Sequence, residues 1–395
     1  MIDLVSWLLS ALLLLILLPV LVLFVQVALA CLPTRAQPAL AGARPRVAVL
    51  VPAHNESALI VATLQALRAQ LQAGDRLLVV ADNCSDDTAA LARAAGAEVI
   101  ERSNSQQRGK GYALDFGVRH LAADAPEVLI IVDADCQVGE GAIERLALCC
   151  IQSGRPTQAL YLMHAPQGSG LKVRIAEFAW SVKNLLRPTG WVRLGLPCQL
   201  MGSGMAFVWR GLALIDLASG HIVEDLKMGL DFCRNGKPPL FCPDARVSSY
   251  FPRSEEGLSS QRTRWEHGHL GVILGDAPRL LAESLGRRNW KLLGMTLDLL
   301  VPPLALLTLV VVAAFILAWL LAGLSGLLVP ALIASVGVAM LGVTILLAWA
   351  RCGRDIISFV SLLYAPFYAV KKIPLYLGFL LKRQVDWVRS KRDDH

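Results

Sequence analysis

EVLIIVDADCQV, residues 127–138, joins an aliphatic run to an abrupt acidic end. Positions 128–132 carry no polar face, which predicts a short strand buried on both sides. The run stops at Asp133-Ala134-Asp135, so two carboxylates one residue apart leave the strand tip together. If they only solubilised a turn, the rest of the chain would be indifferent to them. If they hold a metal and a phosphorylated substrate, other polar residues must converge on the same place.

Outward from this stretch the chain alternates in the same way. RVAVLV (46–51) is a continuous apolar run that reads as a strand, RLLVVA is a second strand that ends at Asp82, and AEVIE is a third. Between them HNESALIVATLQALRAQL sets Leu59, Leu64 and Leu67 at helical spacing, and DTAALARAAG is a short helix with Gly96 as its stop. GYALDFGVRHLA is a helix before the acidic strand, and another extends to about Cys150. Strands alternating with helices predict an α/β domain with a parallel, doubly wound sheet. Such sheets bind ligands outside the carboxyl ends of their strands. Asn55 and Glu56 follow the first strand, Asp82 and Asn83 the second, residues 102–110 the third, and Asp133 and Asp135 the fourth. All gather on one rim.

That rim suits phosphate chemistry. Mg²⁺ commonly takes one or two carboxylates and completes its shell with water and substrate phosphate. RGKG (108–111), which contains Lys110, adds a flexible backbone and two cations. No Walker A loop and no GxGxxG is present, so nothing points to NTP hydrolysis or a dinucleotide. HIVEDLKMGLDF (221–232) opens a helix with Glu224-Asp225, where acids are also ordinary dipole partners. SSQRTRWEHGHL (259–270) puts Gln261, Arg264 and Trp265 on one face of a turn. Arg264 beside Trp265 reads either as a phosphate clamp next to a sugar-stacking ring or as a lipid-facing pair at a membrane interface.

Composition places this domain on a membrane. The chain is 55% hydrophobic and 17% charged over 395 residues, but the apolar excess is unevenly spread, with long tracts at 4–32, 299–321 and 327–349. Each exceeds the ~20 residues a helix needs to cross the hydrocarbon core. The first has no basic leader and is too long for an apolar signal core, so it is read as a retained anchor. Basic residues flank the spans at Arg35, Arg44 and Arg46, at Arg287, Arg288 and Lys291, and at Arg351 and Arg354. This predicts an inner- or plasma-membrane protein with its N-terminus outside and its central domain in the cytosol.

The expected domains are a transmembrane helix at 1–32, a tether at 33–45, the cytosolic domain at 46–290 and two transmembrane helices within 291–350. In 351–395, Pro366, Lys371, Lys372 and Pro374 interrupt an apolar stretch. This favours interfacial helices and a basic cytosolic tail anchored at Trp387 over a fourth span. The net charge of +7 matches inward-facing cations beside anionic lipid, and no basic–aromatic repeat suggests nucleic acid. Nine cysteines without CxxC spacing read as reduced thiols, with Cys136 a packing residue. A transporter needs polar groups inside its spans, and Gln26 and Asp298 alone do not supply them.

In order, VPAHNE, ADNCSDDT, RGKG, DAD, GSGMAFVWR, VEDLKMGLDFCRNG and QRTRW resemble the signature of the membrane-bound family 2 glycosyltransferases. That group includes the cellulose, chitin, hyaluronan and poly-N-acetylglucosamine synthases and the ceramide glucosyltransferases. The resemblance covers about 47–270. It implies an A-type glycosyltransferase fold and inverting transfer from a nucleotide sugar, usually a UDP-sugar, to a glycan or lipid-linked acceptor. A role in exopolysaccharide or envelope-glycan synthesis follows from the same likeness.

By the resemblance, Asp82 contacts the base, Lys110 supports the phosphates, and Asp133 and Asp135 lie at the diphosphate with Mg²⁺ or Mn²⁺. Asp225 is the general base with Glu224 beside it. Gln261 and Arg264 bind diphosphate, Trp265 stacks on the acceptor sugar, and the turn Gly202-Ser203-Gly204 lines the acceptor pocket. Glu56 belongs to the first rim motif. Asn83 stands where many members have a second Asp, and the three spans are fewer than in cellulose synthases. Processive synthesis and single-sugar addition both remain open, as does the oligomeric state. A non-catalytic nucleotide-sugar binder is the alternative from another class, and it would be marked by loss of Asp133, Asp135 or Asp225.

Overall fold

The computed structural model describes residues 2–33 and 42–381. Arg35, most of the tether and the basic tail with Trp387 lie outside the described residues. The four strands expected from the apolar runs are β1 (Val47–Ala53), β2 (Arg76–Asp82), β3 (Glu98–Arg102) and β4 (Val128–Ile131). They pair in parallel in the order β3-β2-β1-β4. Alternate residues of β1 feed separate layers. Val47, Val49 and Val51 pack with Ile60, Leu64 and Leu67 of the helix Ile60–Arg68. Ala48 and Leu50 join Leu114 and Leu121 of the helix Lys110–Leu121 on the other face. Burial on both faces explains why β1, β2 and β4 show no alternation in the sequence, while the edge strand β3 stays part-exposed.

Beyond β4 the sheet becomes mixed. The strands β5 (Gln137–Val138), β6 (Thr157–His164), β7 (Met205–Val208) and β8 (Leu240–Tyr250) complete the order β3-β2-β1-β4-β7-β6-β8-β5. β7 runs antiparallel to both β4 and β6, β6 and β8 are parallel, and β5 is antiparallel to β8. The doubly wound parallel expectation thus holds for the first half only.

Among the described residues, three helices are long and apolar enough to cross a membrane, in the segments Leu4–Ala30, Leu304–Ser325 and Leu328–Gly353. The second begins at Leu304 because residues 290–299 form a separate helix, Trp290–Leu299, packed against the long helix Glu255–Gly286. A buried cluster ties the domain to the first of these helices. Asp298 Oδ1 accepts from Gln26 Nε2 at 2.6 Å and from Arg187 Nε and a terminal nitrogen at 3.0 and 2.8 Å. Residues 359–381 form three short helices, Phe359–Leu363, Ala365–Val370 and Ile373–Leu381. They dock on the long helix through the Lys372–Glu266 ion pair, an Arg262–Tyr368 hydrogen bond and His267 against the Leu375 carbonyl at 3.0 Å.

Candidate active site

The change of strand direction sets the geometry. Because β4 and β7 run oppositely, the carboxyl end of β4 lies beside the amino end of β7, with Ile131 opposite Met205. Asp133-Ala134-Asp135 therefore meets Gly202-Ser203-Gly204. The Gly204 N–H donates to the Ile131 carbonyl at 2.9 Å, and the Asp133 N–H to Ser203 Oγ at 3.0 Å. Gln158 braces the turn, donating to the Ser203 carbonyl at 2.9 Å and accepting from the Met201 N–H at 2.8 Å. Gly202 has φ +91°, and a Cβ there would stand 3.4 Å from Asp225 Oδ2 and 3.9 Å from both Asp133 Oδ2 and Lys110 Nζ. A residue without a side chain keeps that space open and tolerates the left-handed backbone.

Lys110 links the acids. Its ammonium bonds Asp133 Oδ1, donates to the Gly202 carbonyl at 2.7 Å and lies 4.0 Å from Glu224 Oε1. Burial alone would push it down, but Asp133 and Glu224 outweigh that and hold it above its ordinary value. Glu224 and Asp225 open the helix Glu224–Arg234, and Asp225 Oδ1 accepts from the Leu226 N–H at 2.8 Å. Burial pushes Glu224 up to about 7, with Asp225 adding to the rise and Lys110 opposing it. Asp225 is also raised by burial, against Lys110 and Lys183. Adjacent, poorly solvated carboxylates cannot both ionise easily, so the pair takes up a proton near neutrality.

Donor atoms of Asp133, Asp135 and Cys136 lie within 4.8 Å of one another. Cys136 is fully buried in the core, and burial holds its thiol well above the ordinary range. The two carboxylates are therefore the donors suited to a hard divalent cation.

A cavity of about 150 Å³ joins five segments distant in sequence: Lys110; Asp133 and Asp135; Gly202; Glu224 and Asp225; and Gln261, Arg264 and Trp265. Other expected residues sit around it. Ser203 and Gly204 brace the turn; a Cβ on Gly204 would meet Ala159 Cβ at 2.7 Å. Asp82 lies further along the rim at the tip of β2, bonded to Arg102 at 2.7 Å and to Asn83 Nδ2 at 3.0 Å. Glu56 is at the tip of β1, its N–H donating to Thr88 Oγ1 at 2.8 Å. Trp265 is half-buried rather than exposed, its ring 4.8 Å from that of Trp180.

Several cavity residues escaped the sequence reading. Lys183 and Asn184 come from a π-type turn, Val182–Leu186, that follows the helix bearing Trp180. The Lys183 ammonium sits 5.5 Å over the Trp180 ring, and burial pushes it down against the pull of Asp225. No motif marks that segment. His269 had a signal, since it continues the four-residue spacing of Gln261 and Trp265. Burial, reinforced by Lys183 and Arg187, pushes it down to about 3, so it is neutral and donates from Nε2 to the Leu299 carbonyl at 3.1 Å. Gln199 Nε2 and Gln261 Oε1 are buried without a hydrogen-bond partner among the described residues, and both residues line the cavity. Such atoms cost about 1–3 kcal/mol each when nothing meets them, so they suit a polar ligand.

An α/β sheet whose parallel half ends in a paired-acid turn, faced by a helix opening in two further acids, defines an A-type glycosyltransferase domain. The family model described as Glycosyltransferase like family 2 matches residues 45–268, and the chain belongs to that family. It is 27% identical over 257 residues to YdaM of Bacillus subtilis, described as a probable glycosyltransferase, covering 58% of this chain and 56% of that one. It is 37% identical over 100 residues to an uncharacterized glycosyltransferase of Mycobacterium tuberculosis, covering 25% of this chain and 41% of that one. The chain thus spans about half the length, or less, of these curated relatives. A solved structure, the mannosyltransferase PcManGT from Pyrobaculum calidifontis in complex with GDP-Man and Mn²⁺, shares the fold. Its TM-score is 0.54 at 16% identity, over 88% of this chain and 99% of that one.

Proposed function

We propose that the chain is a membrane-embedded, inverting glycosyltransferase that moves a hexosyl or N-acetylhexosaminyl group from a nucleotide sugar, a UDP-sugar by preference, to a glycan or lipid-linked acceptor. The observation that carries this reading is the convergence of Lys110, Asp133, Asp135, Glu224 and Asp225 on one cavity with Gln261, Arg264 and Trp265. The acceptor hydroxyl attacks the anomeric carbon while Asp225 takes its proton. The bond from that carbon to the diphosphate oxygen breaks, and the nucleoside diphosphate leaves with the electron pair. Lys110 and Arg264 place positive charge where the leaving group accumulates negative charge. Mg²⁺ or Mn²⁺ held by Asp135, with Asp133 alongside, supplies further charge neutralisation when bound. Asp82 and Glu56, further along the rim, belong to the nucleotide end, and Glu224 sets the charge state of Asp225. The basic residues flanking the apolar helices support a cytosolic catalytic domain with the N-terminus outside, and the motif resemblance to the membrane-bound synthases supports a role in envelope or exopolysaccharide glycan synthesis.

Two results test this reading. Asp135→Ala should weaken UDP-sugar binding by roughly 10- to 100-fold in the presence of Mn²⁺ and abolish its metal dependence, by analogy with losses at other metal sites. Isothermal titration with and without Mn²⁺ measures this, and an undiminished metal response would remove Asp135 from the ligand set. The acid pair gives the second. Asp225 must be ionised to accept a proton, and Glu224 is raised to about 7 with Asp225 raised beside it. As pH falls through that range the pair gains a proton, so kcat/KM should fall on the acid side of neutrality. A flat profile from pH 5 to 8 would contradict the assignment.

A further inference from the structure

Beside the active-site cavity lies a larger chamber of about 450 Å³, within the ~300–1,000 Å³ range of ligand sites. Its far walls are apolar and come from all three long apolar helices: Leu23 from the first, Leu304 and Ala305 from the second, and Gly342, Ile345 and Leu346 from the third. The short helices after residue 358 close one side; among the charged lining groups Lys372 pairs with Glu266, Arg187 pairs with Asp298 behind the wall, and Arg262 donates to the Tyr368 hydroxyl. Trp180, Lys183, Gln261, Trp265 and His269 line both this chamber and the active-site cavity. They form a neck between a hydrocarbon-lined space and the carboxylates. At that neck sits the buried, unpartnered Gln261 Oε1, an acceptor for a hydroxyl.

We propose that this chamber seats the hydrocarbon chain of a hydroxyl-bearing lipid acceptor and presents its hydroxyl through the neck to Asp225. This rests on the glycosyl-transfer reading above and narrows its acceptor. A growing polysaccharide carries hydroxyls along its whole length and would leave them unmet against leucine, isoleucine and alanine. An amphiphile with one polar end matches an apolar space with one polar neck. The base selects among amphiphiles. A lipid phosphate is already anionic near neutrality and needs no proton removed, whereas a hydroxyl does. The balance is that of the transfer above: the lipid oxygen bonds to the anomeric carbon, the diphosphate leaves, and the hydroxyl proton passes to Asp225.

The test uses the full chain in phosphatidylcholine nanodiscs doped with dioleoylglycerol, supplied with radiolabelled UDP-glucose and Mn²⁺. Organic-extractable label measures transfer, and UDP affinity reports an intact donor site. A Cβ on Gly342 meets no atom within 4 Å, so Gly342→Phe narrows the chamber without a backbone clash. Leu332→Phe, at an exposed position outside the chamber on the same helix, is the control. Wild type and Leu332→Phe should give organic-extractable label that requires dioleoylglycerol. Gly342→Phe should lose roughly 100-fold of it, as expected when an acceptor is misplaced, with UDP affinity unchanged. Absence of organic label, label only in water-soluble product, or equal label from the two variants overturns the chamber. A wild-type chain that neither binds UDP nor releases it from UDP-glucose overturns the transfer reading itself, and the chamber with it.

Discussion

Asp225→Asn should lower the turnover of sugar transfer by roughly 10²–10⁴-fold, the usual contribution of a positioned general base, while UDP affinity stays close to wild type. Asparagine keeps the shape and an oxygen able to accept from the Leu226 N–H, a contact now at 2.8 Å, so the helix start should survive. It cannot take a proton from an incoming hydroxyl. The rim around Asp82 and Arg102, the proposed nucleotide end, lies outside the cavity that holds Asp225, which is why donor binding should be spared. Initial rates of nucleotide release with acceptor present, set against UDP titrations, separate the two effects. Full turnover in the variant would move the base elsewhere, and Glu224 would be the first candidate.

Asp298→Ala should be the most destabilising single change among the buried polar residues of the membrane-proximal layer. The Arg187 guanidinium is buried and takes three of its hydrogen bonds to Asp298: Nε at 3.0 Å and a terminal nitrogen at 2.8 Å to Oδ1, and 2.5 Å to the backbone carbonyl. Gln26 reaches the same oxygen from the first apolar helix. Removing the acid strands a buried cation, a loss of about 3–5 kcal/mol. The nearby crossing leaves little room to adjust, since a Cβ on Gly190 would fall 1.9 Å from the Gln26 carbonyl oxygen. Thermal unfolding in detergent should show a large drop in Tm for Asp298→Ala and a smaller one for Asp298→Asn, which retains an acceptor. Equal Tm values across all three proteins would mean that the cluster does not hold the layers together.

The two polar residues that looked insufficient for a transporter are therefore a staple, and only their partner, Arg187, reveals it. What the sequence made legible follows from periodicity and length. β1, β2 and β4 are continuous apolar runs because both faces are covered, whereas β3 is a part-exposed edge strand, and the long apolar tracts exceed the thickness of a bilayer. β5 was invisible at two residues, and β8 was obscured by a register shift opposite Ala159 and Leu160. The site divides in the same way. Asp133, Asp135, Lys110, Asp225 and the Gln261–Trp265 face carry recognisable motifs. Lys183 is one lysine in an unmarked helix, and folding alone brings it against Trp180. Lys372 looked costly near a membrane because its partner, Glu266, lies 106 positions away.

The central claim is a single displacement: a hydroxyl activated by Asp225 attacks a sugar whose diphosphate is held at Asp133, Asp135 and Lys110. One displacement inverts the anomeric carbon, whereas a covalent intermediate on a carboxylate retains it. Anomeric-proton NMR of the product formed from an α-linked donor such as UDP-glucose reads this directly. A β-linked product is predicted. An α-linked product would contradict the account, because retention requires either a double displacement through a covalent intermediate or attack from the same face as the leaving diphosphate, not one in-line displacement.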